Sequence, residues 1–153
     1  MMAPTERAKQ ARRAAEGGSL AAQTQLGVFH LHGWEGVEQD NVQAAALFLP
    51  AADLGHAQEQ MSIAWCYNEG TGVEQNYALA AEWGCKAADQ GDATAQWFVG
   101  GKYMIGEEVP QDVPLGKTYL ELSAAQGFEV GSASGTNATR VESAWNEALE
   151  TIL

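Results

Sequence analysis

The sequence predicts an all-α fold, a stack of antiparallel helix pairs closed by a helix at either end, and three observations predict it. Gly18, Gly55, Gly91 and Gly127 recur at spacings of 37, 36 and 36 residues, a period that belongs to arrays in which each unit buries its apolar face on the next. The same residue classes return in register within each unit: Leu26-Gly27, Ile63-Ala64 and Val99-Gly100; His30, Tyr67 and Tyr103; Val37, Val73 and Val109; Leu47, Trp83 and Tyr119. Apolar positions inside a unit recur at three and four residues and a glycine cluster breaks the run midway, as two helices joined by a tight loop require.

The elements follow in order. Residues 9–18, KQARRAAEGG, read as the tail of a second helix, so residues 1–17 are expected to form an N-terminal capping helix over about 5–16. Three units follow at 18–54, 55–90 and 91–127, with helix pairs expected over 20–54, 57–90 and 93–126. Asp40, Asn76 and Asp112 precede each second helix, where a short side-chain acceptor caps free N–H groups. Gly55, Gly91 and Gly127 end the second helices as left-handed residues. Gly27, Ala64 and Gly100 are expected to face Ala44, Ala80 and Gly116, small residues that let two backbones approach. Pro114 falls in a first helical turn, where its missing N–H costs little, whereas Pro50 falls inside a helix and predicts a kink. Residues 128–153 break the repeat with a Gly/Ser loop; Val141, Ala144 or Trp145, Ala148 or Leu149, and Ile152 then mark one amphipathic helix near 138–151. That helix is expected to cap the array, the rival reading being a partner-binding or dimerising arm.

Composition narrows function. The chain has 153 residues, 46% hydrophobic and 18% charged, enough for a core without disulfide or metal. Cys66 and Cys85 are expected to stay reduced, since two cysteines make no disulfide framework. The formal charge is −12, divided as +3 over residues 1–13 and −15 over the rest. So acidic a body argues against nucleic acid and anionic membrane surfaces. No run approaches 18 apolar residues, so no membrane insertion is expected; the chain reads as cytoplasmic, or as periplasmic or secreted if a signal segment had been removed.

Chemistry is scarce. No nucleophile elbow, zinc-protease helix, phosphate loop or spaced Cys/His cluster occurs. His30 and His32 are two apart, so a helix points them in different directions and they cannot clamp one metal. The chain is read as no enzyme, with no catalytic residue, cofactor or metal. The acidic residues gather at the inter-helix loops: Glu35, Glu69, Glu74, Glu107 and Glu108 form an acidic rim that either solubilises the protein or receives a basic partner. If Leu26, Gly27 and His30 mark the core face of a first helix, the opposite face carries Val28 and Leu31, then Met61, Trp65 and Asn68, then Trp97, Gly101 and Met104, with Gln58 and Thr94 beside them.

The run from Gln60 through Tyr67, Gly70, Gly72-Val73, Gln75, Ala80, Trp83 and Ala87-Ala88 to Gly91 resembles the Sel-1-like repeat (SLR), a relative of the tetratricopeptide repeat. The resemblance covers residues 18–127 and departs from the family pattern at His30 and Pro50. It implies an α/α solenoid wound as a right-handed superhelix, in which first helices line a concave groove. It also implies an adaptor or scaffold role, commonly in bacterial signalling, envelope or host-interaction settings. Met61, Trp65, Trp97 and Met104 would then be hot-spot anchors of that groove. The expected partner is a protein or peptide, a basic one included, and the expected state a monomer or weak homodimer. An immunity or inhibitor protein that neutralises a toxin is the first alternative. A β-lactam-binding or weakly hydrolytic relative is the second, disfavoured because the one-bridge-per-repeat cysteine pattern is missing.

Overall fold

Short polar side chains start the helices and left-handed glycines stop them. In the computed structural model, which describes residues 3–106 and 109–128, Thr5 Oγ1, Ser19 Oγ and Asp92 Oδ1 accept from the backbone N–H groups of Ala8, Ala22 and Ala95 at 3.3, 3.3 and 2.7 Å. Asp40 accepts from Val42 and Gln43, and Asp112 from Leu115, all at 3.0 Å. Gly33, Gly70 and Gly106 end first helices at φ of 67°, 68° and 70°. Gly55, Gly91 and Gly127 follow second helices at 95°, 95° and 76°, as their spacing predicts.

The chain forms two compact units, residues 1–76 and 77–153. The first holds α1 (Glu6–Glu16), α2 (Leu20–His32), α3 (Asn41–Asp53) and α4 (Ala57–Glu69), consecutive helices packing on one another. The second holds α5 (Tyr77–Asp89), α6 (Ala93–Ile105) and α7 (Val113–Ala125), with α6 packed on both neighbours. No strand occurs among the described residues. Helix α3 runs through Pro50 to Asp53. The amphipathic segment over 138–151 lies outside the described residues.

In the first unit Ala8 and Ala11 of α1 meet Leu26 and Phe29 of α2 and Val37 of the loop, with Phe48 of α3 and Ile63 of α4 each 1% exposed. A Cβ on Gly27 would stand 2.9 Å from Phe48 Cε1, so the missing methyl admits that ring. In the second unit the missing methyls face each other. A Cβ on Gly100 would lie 3.0 Å from the carbonyl of Gly116, and one on Gly116 2.8 Å from the carbonyl of Gly100. This is the close backbone approach expected of that pair.

Recurring glutamines tie the helices together, a role the sequence reading gave to no residue. Gln23, Gln60 and Gln96 reach back eight residues to donate to the carbonyls of Ala15, Ala52 and Ala88 at 3.4, 3.1 and 3.3 Å. Each joins a first helix to the end of the helix before it, adding a second donor to a carbonyl that the backbone N–H of Gly18, Gly55 or Gly91 also reaches. Gln60 and Gln96 are buried, and replacing either removes one of the two hydrogen bonds that its carbonyl accepts. A second set works within each pair: Gln39, Gln75 and Gln111 donate from the loop to the carbonyls of Leu31, Asn68 and Met104 at 3.0, 2.9 and 2.9 Å. The signal was the recurrence of glutamine at the repeat period.

The inter-helix loop crosses closely over the start of an earlier helix. Gly36 (φ 71°) leaves no room for a side chain, its Cβ falling 2.2 Å from the carbonyl oxygen of Ala3. Gly72 (φ 74°) repeats this against Asn41, at 2.0 Å from the carbonyl oxygen.

Candidate partner-binding surface

The outer faces of the first helices are less open than their helical wheel suggests. Val28 and Leu31 on α2, Trp65 on α4 and Thr94 on α6 are half-buried, and Gln58 is exposed. Met61, Asn68, Trp97 and Met104 are 3–5% exposed, and Gly101 is buried as well. The expectation of an open apolar groove is therefore corrected at these five positions. Met104 packs inward: its Cγ would stand 2.9 Å from a Cβ on Gly116, so the space that glycine leaves on α7 holds the methionine. Trp97 meets the ring of Phe128, just past α7, at 5.9 Å between centroids. Asn68 donates from Nδ2 to the Glu69 carboxylate at 2.8 Å and is committed to its own helix end.

The acidic rim is also divided. Glu35 is engaged internally: its carbonyl accepts the Thr5 N–H at 2.9 Å, its carboxylate accepts the Thr5 hydroxyl, and Arg7 stands 3.6 Å away. It holds the loop to the start of α1 at a φ of 56° and is no free rim charge. Glu69 and Glu74 are exposed, whereas Glu107 and Glu108 lie outside the described residues.

A polar network joins all three helices of the second unit. Tyr119 of α7 donates to Asp89 Oδ1 of α5 at 2.7 Å, the Tyr103 ring of α6 lies 6.3 Å from that of Tyr119, and the Tyr103 hydroxyl is 3.6 Å from Cys85 Sγ on α5. The hydrogen bond to Cys85, then burial, pushes the Tyr103 phenol up to about 12. Burial, then the Asp89 carboxylate, pushes Tyr119 up as well. Burial raises the Cys66 thiol, and it raises Cys85 against the opposing hydrogen bond from Tyr103. Both cysteines are free, and thiols held protonated are poor nucleophiles.

Tyrosines normally ionise near pH 10 in an unfolded chain, and these two keep their protons longer in the folded one. Stability is then fully present below pH 10 and falls as pH rises from about 10 towards 12, because only the unfolded state releases the protons. The urea midpoint is expected to drop between pH 9.5 and about 11, and to drop less in Tyr119→Phe, which has one phenol fewer. A midpoint as steep in the variant as in the parent would remove Tyr119 from this account.

No group of three or more metal-ligating side chains gathers among the described residues, and none of their helices is long and apolar enough to cross a membrane. What the geometry defines is an α/α repeat protein, its helix pairs joined by recurrent glutamines and closed by recurrent left-handed glycines. The Sel1 repeat matches residues 20–56, 57–92 and 93–128, and the chain belongs to that family. No curated protein matches it. It is similar to c5321, a protective antigen present in uropathogenic Escherichia coli strains that displays an SLR fold: 36% identity over 80% of this chain and 26% of that one, TM-score 0.74. The chain thus spans about a quarter of the antigen's length. A Sel1 repeat protein from Oxalobacter formigenes is 32% identical over 82% of this chain and 98% of its own, TM-score 0.73. Sel1 repeats are generally protein–protein interaction modules and typically non-catalytic scaffolds.

Proposed function

We propose that the protein is a non-catalytic adaptor that binds a protein or peptide through its first-helix faces, with the contact centred on Val28 and Leu31 of α2 and on Trp65 and Gln58 of α4. The observation that carries this reading is accessibility: Val28, Leu31 and Trp65 retain solvent exposure, whereas Gly101, which matches Val28 and Trp65, and Met104, which matches Leu31, are buried. A half-buried tryptophan with an exposed amide on the same helix supplies the apolar anchor and polar rim on which binding energy concentrates. Exposed Glu69 and Glu74 favour a partner with basic residues at its edge.

A photo-crosslinking residue at Val28 or Trp65, installed in the cells that make the protein, is expected to trap one predominant partner, and the same residue at Leu122 on α7 is expected to trap none. With that partner purified, Trp65→Ala should weaken binding by about 2 kcal/mol, some thirtyfold, while the protein remains folded. Trapping only from Leu122 would move the interface off the first helices and end this reading.

A further inference from the structure

The helix triplet α1–α2–α3 of the first unit and the triplet α5–α6–α7 of the second are built on one plan. Gln23 bonded to Ala15 and Gln96 bonded to Ala88 mark the same joint in each. In that register Arg12 stands where the second triplet has Cys85, Glu16 where it has Asp89, His30 where it has Tyr103, and Leu47 where it has Tyr119. The second triplet fills the space between its helices with two phenol rings, and the outer one is fixed by the 2.7 Å bond from Tyr119 to Asp89.

The first triplet has no aromatic ring at the Tyr119 position, and there it holds a cavity of about 330 Å³ lined by Arg12, Glu16, His30, Gln43 and Leu47. A second cavity of about 430 Å³ shares Arg12 and His30 and extends along Val37 and Glu38. Such volumes suit a small ring rather than a water molecule. Among the described residues no carboxylate pairs with Arg12, although Glu16 lies one turn further along the same helix. His30 Nδ1 donates to the Glu38 carbonyl at 3.0 Å, which fixes the ring at the boundary of both cavities.

We propose that this cavity is a seat for a phenol ring, supplied as the tyrosine side chain of a bound protein or as a free phenolic molecule. The ring takes the place that Tyr119 fills in the other triplet. Its hydroxyl donates to Glu16 as Tyr119 donates to Asp89, and the Arg12 guanidinium lies against the ring, an attraction open to a cation that no carboxylate among the described residues holds. The tyrosine source rests on the protein-binding reading above; the site itself does not.

The test uses the full chain and three probes, p-cresol, N-acetyl-tyrosinamide and N-acetyl-phenylalaninamide, followed by amide and imidazole NMR shifts. The expected result is saturable shifts at Arg12, Glu16, His30 and Leu47 with a Kd of about 1–10 mM for the phenols, and binding at least fivefold weaker for the phenylalanine amide. Leu47→Tyr, which rebuilds the second triplet's arrangement, is expected to abolish the shifts and raise Tm. Arg12→Ala, at an exposed position, is expected to weaken binding at least fivefold without loss of fold. Binding of both p-cresol and the tyrosinamide assigns the seat to a tyrosine side chain, and binding of p-cresol alone assigns it to a free phenol. No shift at 20 mM probe, equal binding of the phenylalanine amide, or undiminished binding in a folded Leu47→Tyr protein overturns the proposal. Failure of crosslinking at Val28 and Trp65 would leave these outcomes unchanged, so the two readings fail separately.

Discussion

Trp97→Ala is expected to lower the unfolding free energy by about 3–5 kcal/mol, measured by urea or thermal denaturation. The indole is 4% exposed and its ring meets Phe128, so truncation opens a cavity in a packed region as well as forfeiting apolar burial. Phe128→Ala should share part of that loss, with a coupling of about 0.5–1.5 kcal/mol in a double-mutant cycle. Trp83→Ala is expected to cost less, because Trp83 is half-buried and carries the Lys86 ammonium 4.1 Å above its ring. This cost departs from the reading of Trp97 as a groove residue. A Trp97→Ala midpoint no lower than that of Trp83→Ala would return Trp97 to the surface.

Gly72→Ala is expected to rank with it, at about 3 kcal/mol or more. A left-handed φ of 74° alone costs an alanine about 1–2 kcal/mol. The methyl would in addition stand 2.0 Å from the Asn41 carbonyl oxygen, and that neighbour is backbone. Either the loop lifts from α3 or the start of α3 moves, and both disturb the Asp40 cap. Gly91→Ala is the control, since its φ of 95° carries the conformational cost while nothing stands within 4 Å. Equal losses at the two sites would mean that the loop crossing contributes no stability.

Helix order, bounds and caps were legible in the sequence because they follow from local chemistry: Asp40 and Asp112 cap, Gly55 and Gly91 turn left-handed, and the glycine pair of α6 and α7 meets. Membership of the family was legible for the same reason, many positions agreeing at one period. The first-helix surface was not. A wheel drawn from one core pair assigns every other residue to the outside, yet Met104 lies one turn beyond Gly100 and shares its face towards α7. Trp97 was misplaced because its contact with Phe128, the last residue of the third repeat, depends on how the chain turns after α7, which no helical wheel shows. The link from Tyr119 to Asp89 spans 30 residues and depends on how helices dock. Glu35 looked like one more acidic loop residue; only the fold of residues before α1 gives it Thr5 and Arg7 as partners.

The glutamine joints carry a consequence for how such a chain can lengthen or shorten over evolution. Each buried amide finds its carbonyl eight residues earlier, across the short connector between one helix pair and the next. Donor and acceptor therefore travel together whatever lies further away. Removing residues 55–90 leaves Ala52 eight residues ahead of Gln96, and copying them in tandem leaves Ala88 eight residues ahead of the copied Gln60. A gene that gains or loses one whole period by unequal recombination regenerates the joint with no compensating substitution, whereas a slip of any other length takes the amide away from this carbonyl. The number of units can drift while the chemistry of the seams is inherited intact.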